Sequence, residues 1–352
     1  EQDVIPFFGQ TIWRYHPTNH RFELFAEGGW NNFGVDFDPV GRLYSGTNGN
    51  MQAVYFVQGG YYQKSFGKHG PHTNPHTYGH FYGLPVEGSS VRLVHQWILY
   101  QSGAIPALEG LLVGGNSLAN SVHALKVTPR GSSFETHEVV LPVETEDRWF
   151  RPVHATIGPD GAIYLADWYD ARITHVDPRD NWDRERGRIY RLRDASQGPS
   201  KFQPMNPDQV DDLIERLGDE NQWVRATARR LLGRDPTAST LIRLQQLILN
   251  AQPPQSLESL WTLARAEELQ ESTLRALLVH PDAHMRRWAV RLMTDPASAL
   301  ESESFRGLLN LAKQEKNPEV LSQLASSSGR LPSDQGYPLT FALAERAEMF
   351  ED

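Results

Sequence analysis

Apolar and polar residues alternate along the first half of the chain in short runs. The clearest case lies between Phe150 and Leu192, where the runs Val153 to Ile157 and Ala162 to Ala166 flank a Gly-Pro-Asp-Gly sequence at 158–161. Proline presets φ and glycine tolerates positive φ, so this four-residue sequence is typical of a tight turn. The pattern therefore predicts a β-hairpin.

The same turn pattern occurs earlier in the chain. Val35 to Thr47 matches Ala155 to Asp167, with proline, glycine and tyrosine at equivalent positions. Four further strands are predicted in one continuous unit, at Val91–Tyr100, Gly110–Gly114, Val122–Val127 and Phe134–Leu141. Recurring short strands with similar turns are typical of β-propeller blades. The strands suffice for roughly three blades, whereas closed propellers have about 4 to 8, so we predict a partial propeller.

Helical periodicity replaces strand alternation in the second half. Residues 195–207 are rich in Ser, Pro and Gln and predict a linker, and amphipathic stretches follow from Asp208. The segments Asn221–Leu232 and Ala283–Met293 resemble each other, with apolar residues on one face and arginines on the other. Such recurring helices predict HEAT-type pairs stacked into a solenoid. The predicted domains are a mainly β part at 1–194, the linker, and an all-α part at 208–352.

Composition narrows the function classes. The 352 residues carry a formal net charge of −9 and no cysteine. Without cysteine these residues hold no disulfide, no thiolate metal site and no covalently attached c-type haem. Nucleic acids and anionic membranes require clustered Lys and Arg, so the negative charge favours a small neutral or cationic partner. No apolar run approaches the ~20 residues of a membrane span. Since the sequence begins at Glu1, we expect a piece of a longer protein.

A set of motifs between Asp147 and Tyr190 resembles a known family. They are Asp147–Val153, the turn at 158–161, Tyr164–Tyr169 and Gly187–Tyr190. This segment resembles the membrane-bound dehydrogenase-like proteins of planctomycetes and verrucomicrobia, often called PVC-type haem-binding proteins. The resemblance implies a six-bladed propeller similar to glucose/sorbosone dehydrogenases, then HEAT repeats, then a cytochrome c domain. It also implies a periplasmic or extracytoplasmic location. About half of such a propeller is present here, and the remaining blades and the haem motif are absent from these residues.

The resemblance also implies candidate catalytic residues. In quinone-dependent dehydrogenases a histidine is the general base, Arg and Asn hold the quinone, and Ca²⁺ polarises it. On this basis His95 is the expected base and Arg151 faces the channel, with pyrroloquinoline quinone and Ca²⁺ as the implied cofactors. Asn31 matches the approach loop at 29–34, whose Arg and Pro neighbours are missing. Two alternatives stay open: Arg151 as a structural arginine between blades, and His95 as a core histidine.

Further candidates follow the same resemblance. Asn120 and His123 match a family Asn-x-Val-His pattern, and Tyr169 belongs to the Asp-Trp-Tyr motif, so these three are expected near a cofactor. Asp167 and His175 are the expected metal ligands, although one Asp and one His form only half a site. Four histidines at His69, His72, His76 and His80 lie in a Gly/Pro-rich stretch, where a solvated loop is the simplest interpretation.

Two functions from different classes follow. The first is an oxidoreductase portion that acts on a sugar or alcohol and passes electrons to a cytochrome c domain elsewhere in the parent chain. The second is a non-catalytic scaffold that binds a glycan or a protein. Aromatic residues expected on exposed loops favour the second function. These residues are Trp30, Tyr61, Tyr62 and those from Tyr78 to Tyr82.

Overall fold

The computed structural model describes residues 9–16, 19–48, 53–65, 70, 72–85, 94–173, 178–196, 198 and 202–346. Strands occupy the first part and α-helices the second. The strands are Thr11–Tyr15 (β1), Phe22–Glu27 (β2), Asn31–Phe37 (β3), Leu43–Asn48 (β4), Val54–Phe56 (β5), Gly60–Tyr62 (β6), Gly79–Phe81 (β7), Val94–Leu99 (β8), Leu111–Asn116 (β9), Ser121–Arg130 (β10), Ser133–Glu144 (β11), Pro152–Ile157 (β12), Ile163–Asp167 (β13) and Arg188–Leu192 (β14). The helices are Val210–Arg216 (α1), Gln222–Leu232 (α2), Ala238–Asn250 (α3), Gln255–Arg265 (α4), Glu271–Leu277 (α5), Ala283–Thr294 (α6), Ser302–Gln314 (α7), Pro318–Ser328 (α8) and Ser333–Ala344 (α9).

The described strands form three sheets and no closed barrel. One sheet has the order β1-β2-β6-β7, and another has the order β12-β13-β14. The largest has the order β11-β10-β9-β8-β4-β3, with β5 paired to β4. A single pair, Thr47 with Val94, links β4 to β8. The fold is therefore mixed, with strands first and helices second, as the sequence predicts at this coarse level.

Both predicted hairpins are confirmed. β12 pairs with β13, and β3 pairs with β4, each antiparallel. Gly161 has φ +75° and Gly41 has φ +77°, the left-handed conformation that favours glycine. The continuous unit β8 to β11 also forms as predicted, with each strand antiparallel to the next. The domain boundaries at 194 and 207 remain predictions, with the last described strand ending at Leu192 and the first helix beginning at Val210.

Two short strands form in a stretch for which the sequence predicts irregular structure. The sequence from Gln58 to Ser90 lacks strand periodicity, yet β6 and β7 form there. β6 pairs in parallel with β2, and β7 pairs in parallel with β6. Three residues are too few to show alternation, and the partner of β6 is remote in sequence. Tyr61 and Tyr62 on β6 are only 8% and 1% exposed. Their expected place on an exposed loop is therefore wrong.

The largest sheet packs against the three-stranded sheet through an apolar core. Ile98, Val113, Ala155 and Ile163 are buried in it. Glycine permits the close approach, since a Cβ at Gly115 would lie 2.5 Å from the Pro152 ring. The adjoining ends of β9 and β12 are thereby held together, and this places the candidate site.

The helices pack on one another through a leucine-rich core, and four of the described helices begin at polar caps. Side chains of Asn221, Thr237, Asp282 and Asn317 accept hydrogen bonds from backbone N–H groups at the starts of α2, α3, α6 and α8. α2, α6 and α8 turn one side towards the strands. Among the described residues, no helix combines the length and apolar character needed to cross a bilayer.

The turn between β3 and β4 docks on this helical surface. The Val40 carbonyl accepts hydrogen bonds from Arg287 and from the indole of Trp288 on α6. Arg42 donates to both carboxylate oxygens of Glu319 on α8, at 2.6 and 2.8 Å. A second contact joins Arg14 on β1 to Asp295, at 2.9 and 3.0 Å. Polar pairs therefore fix the strand half on the helical half.

Replacing Gly41 with alanine tests this docked turn. A Cβ at Gly41 would lie 2.4 Å from the Trp288 ring, whereas Gly110, with φ +75°, has nothing within 4 Å. Gly110→Ala should lower the free energy of unfolding by about 1–2 kcal/mol through backbone strain alone. Gly41→Ala should lower it by about 1–3 kcal/mol more, because its Cβ also overlaps the Trp288 ring. Urea unfolding followed by far-UV circular dichroism measures both. Equal losses in the two variants would show that the turn does not press on the helices.

The Asp295 contact predicts an acid-dependent stability. Arg291, Arg14 and Gln58 together outweigh burial and lower the pKa of Asp295 from 3.8 to about 2. A depressed folded-state pKa stabilises the fold above the unfolded pKa, and this stabilisation is lost as pH falls through the folded value. Asp295→Asn should therefore lower the free energy of unfolding by about 2 kcal/mol at pH 6. The difference from wild type should shrink between pH 4 and pH 2.

Urea midpoints across this pH range measure the Asp295 effect. The matched control is Asp235→Asn, because the side chain of Asp235 is 89% exposed and only 3.7 Å from Arg234. A wild-type-to-Asp295→Asn difference that stays constant down to pH 2 would contradict the expectation.

Candidate functional site

Several predicted site residues meet where strands end at one edge of the two packed sheets. β8 begins at Val94, which pairs with Asn116 at the end of β9. β12 begins at Pro152, which pairs with Asp167 at the end of β13. Because β9 and β12 approach closely, His95, Arg151 and Asp167 lie at this common edge, which we call the strand-end edge.

Arg151 is bound by backbone carbonyl groups. Its guanidinium donates to the carbonyls of Ser117 at 2.9 Å, Asp170 at 3.0 Å and Ala171 at 3.2 Å. Burial lowers the pKa of Arg151, and Asp170 and Asp167 partly offset this effect. Since these bonds leave little of the guanidinium for a ligand, the arrangement favours the structural alternative. Arg151 joins β9 to the segment after β13.

Asp167 is the anchor of the same edge. One carboxylate oxygen accepts from the N–H groups of Arg151 at 2.7 Å and Tyr169 at 2.9 Å. The other oxygen is buried without a partner. The second expected metal ligand, His175, lies outside the described residues, so the metal pair remains a prediction. Within the described ranges, no three His, Cys, Asp or Glu side chains are grouped as a metal site.

His95 has a defined environment at the start of β8. The Ser117 hydroxyl lies 3.2 Å from His95 Nδ1 and donates its one proton to the Pro152 carbonyl at 2.8 Å. Because this hydroxyl donates to Pro152, it is placed to accept from the imidazole, and the arrangement favours the tautomer with the proton on Nδ1 and a lone pair on Nε2. Burial lowers the pKa of His95 and favours the neutral ring. This is the state required of a general base.

The other predicted site residues form hydrogen bonds within the protein. His123 is buried between Ser121 at 2.8 Å and Glu138 at 2.7 Å. Asn120, with φ +55°, donates to the Phe150 carbonyl at 2.6 Å. Asn31 accepts from Gln10 at 3.4 Å. The structure thus brings His95, Arg151 and Asp167 to one edge and gives His123 a place within the largest sheet.

A surface of aromatic and arginine side chains adjoins this edge. It comprises Trp149, Trp168, Tyr169 and Trp182, and we call it the tryptophan face. Trp168 meets Trp182 edge to face at 5.9 Å, and Trp149 lies 5.7 Å from Tyr169. Arg172 lies 3.9 Å from the Trp182 ring centre and Arg188 lies 3.4 Å from that of Tyr169. Trp168 is 50% exposed.

Asp170 holds the two segments of the tryptophan face together. Its carboxylate accepts from the backbone N–H of Arg172 and of Asp183, each at 2.8 Å. Trp168 N–H also donates to the Arg151 carbonyl at 3.0 Å. The sequence analysis did not find this surface. The high density of Trp and Arg residues after β13 is the sequence feature that could have indicated this surface. Only the fold shows that Trp149 belongs to the tryptophan face.

Comparison with known families covers the same part of the chain. A family model described as a domain of unknown function, DUF7133, matches residues 2–196. The chain belongs to the DUF7133 family. No curated protein matches it. The DUF7133 region contains all described strands, the strand-end edge and the tryptophan face, whereas the described helices follow it. The candidate site is therefore a feature of the DUF7133 region.

The protonation of His95 in this DUF7133 chain can be measured. We expect Nδ1–H to predominate and the titration midpoint to lie below the ordinary histidine value of about 6.5. Ser117→Ala removes the hydroxyl oxygen that accepts from Nδ1–H of His95. The fraction of the Nδ1–H tautomer should therefore fall in this variant. Long-range ¹H–¹⁵N spectra across pH report both properties. Ser121→Ala, which removes a contact of His123 instead, should leave His95 unchanged. Wild-type signals that show mainly Nε2–H would contradict the assignment.

Proposed function

We propose that this chain is a scaffold that binds a glycan through the tryptophan face. The observation that carries the proposal is the half-exposed Trp168 packed on Trp182 beside guanidinium groups. Aromatic residues of this kind combine an apolar face with a polar edge and are enriched at binding surfaces. The surface lies outside the buried cores of the sheets and is free to meet a partner.

The chemistry of the tryptophan face suits a sugar. Sugar rings have an apolar C–H face and a rim of hydroxyl groups that both donate and accept hydrogen bonds. The exposed ring of Trp168 can contact the apolar face. Asn181 and Asp180, beside Trp182, are exposed. The Asn181 amide NH₂ supplies donors and the second oxygen of Asp180 an acceptor for the rim, while Asn181 Oδ1 accepts from Arg172 and the other Asp180 oxygen from Arg184. Arg172 is fixed against Trp182 by stacking and by Asp170, so little ordering remains to oppose binding.

The scaffold proposal includes a finer description of the fold. We propose that the three sheets are blades of a partial β-propeller and that the helices form HEAT-type repeats. Recurrence of the hairpins β3–β4 and β12–β13, with matching glycine conformations, supports the first point. Similar capped, amphipathic helices at α2 and α6 support the second. The PVC-type dehydrogenase-like resemblance and an extracytoplasmic location belong to the same proposal.

A second candidate is the oxidoreductase role, which the geometry of His95 favours. Its imidazole is held neutral with Nε2 unprotonated, so it could accept a proton from a hydroxyl substrate. The quinone expected from the resemblance fits less well. Its carboxylates need a cationic partner, and Arg151 already binds three carbonyl groups. We therefore derive no step through a quinone, Ca²⁺ or haem, and place this candidate second.

Glycan binding tests the first proposal. We expect the purified chain to bind at least one polysaccharide or arrayed glycan, and Trp168→Ala to weaken that binding about tenfold, or ~1.4 kcal/mol. Affinity electrophoresis and calorimetry measure the effect. Trp13→Ala is the matched control, because Trp13 is 58% exposed on β1 and outside the tryptophan face. A folded chain that binds no glycan, or equal losses in the two variants, would remove the proposal.

A further inference from the structure

A cavity lies between the strand half and the helical half, away from the strand-end edge. Its volume is about 340 Å³. One wall is the β3–β4 turn, with Phe37 and Asp38, and the others come from α2, α4 and α6. This volume falls at the lower end of the range for small-molecule sites, about 300–1,000 Å³.

Two tryptophans supply an aromatic wall. Trp261 on α4 and Trp288 on α6 meet edge to face, with ring centres 5.2 Å apart. Arg229 lies 5.3 Å from the Trp261 ring centre, and Arg291 lies 4.5 Å from that of Trp288. Planar apolar groups bind well against such surfaces.

Three residues that line the cavity keep a buried polar atom without a partner. They are Gln222 Oε1, Trp261 Nε1 and Arg291 Nε. Gln222 is anchored through its other amide atom, which donates to the Phe37 carbonyl at 2.5 Å. Most buried polar groups in folded proteins are hydrogen-bonded, so three exceptions around one cavity require an explanation. A bound molecule with complementary groups would satisfy these two donors and one acceptor.

The charges of the wall point to an anion. Arg14 pairs with Asp295, and Arg229 pairs with Glu258. Two further lining arginines, Arg265 and Arg291, form no salt bridge within 4.0 Å among the described residues, although the charge of Asp295 acts on Arg291 from nearby. Burial lowers the pKa of Arg291 to about 10, so it stays cationic at neutral pH. The Nε donor of Arg291 is buried without an acceptor, and a ligand carboxylate that accepts a hydrogen bond from it would offset the cost of that unsatisfied group.

We propose that this cavity binds a small organic carboxylate with a planar apolar body. The body lies against Trp261 and Trp288, and the carboxylate lies between Arg291 and Arg265. A donor on the ligand satisfies Gln222 Oε1, and small side-chain rotations bring the unpartnered donors to the ligand. Because the walls come from both halves, the bound molecule joins them and stabilises their contact by mass action.

Indole-3-carboxylate is a suitable probe, since it carries a planar ring, an N–H donor and a carboxylate. Calorimetry on the full chain should give a dissociation constant below about 1 mM, equivalent to roughly 4 kcal/mol. Indole-3-carboxamide has the same shape without the charge and should bind at least tenfold more weakly. The carboxylate should also raise the melting temperature.

Variants locate the site. Ala226→Phe fills the cavity without removing a polar group and should abolish binding. Arg265 lies at the exposed rim of the cavity. Arg265→Ala should weaken the binding of indole-3-carboxylate several-fold and leave the binding of indole-3-carboxamide unchanged. Arg230→Ala removes an exposed arginine that does not line the cavity and should change nothing. No binding at millimolar probe, equal affinity for the two probes, or full binding by a folded Ala226→Phe variant would each overturn the proposal.

Discussion

Arginine–carboxylate contacts, among them Arg330 with Glu23, hold the strand half on the helical half, and the rest of the structure depends on them. Arg42 meets Glu319, and Arg14 meets Asp295, each through two N–H donors. Fork-shaped pairs of this kind are directional, unlike apolar contacts. Desolvation opposes the gain from burying them, so they specify one relative placement more than they add stability.

That placement extends to the candidate site through β3. The docked turn fixes one end of the strand, and the other end lies at the strand-end edge. The ring of Phe33 on β3 packs edge to face on His95, with ring centres 4.3 Å apart. Ser117 holds the other side of the imidazole. The orientation of His95 is therefore set by contacts from β3 and from the segment after β9.

The sequence predicted the features that depend on neighbouring residues. The hairpins β3–β4 and β12–β13 follow from local Pro and Gly, and the helices follow from caps and periodicity. It did not predict β6, whose partner β2 is distant in the chain, or β7, which pairs with β6. For the site, motifs identified Arg151 and Asp167 as important. Whether a guanidinium faces a ligand or three carbonyl groups depends on strand packing, which no local pattern encodes.

The same limit explains why the tryptophan face and the cavity between the two halves could be found only in the structure. Trp149 and Trp182 lie on opposite sides of the β12–β13 hairpin in sequence, and Trp261 and Trp288 lie on different helices. Helical periodicity assigns Trp261 and Trp288 to the core between the helices. In the structure, however, polar pairs fix the position of one half on the other, and apolar side chains do not fill all of the space between them. An interface fixed by directional, charged pairs therefore leaves space with unpaired polar atoms, and such space suits a small charged ligand.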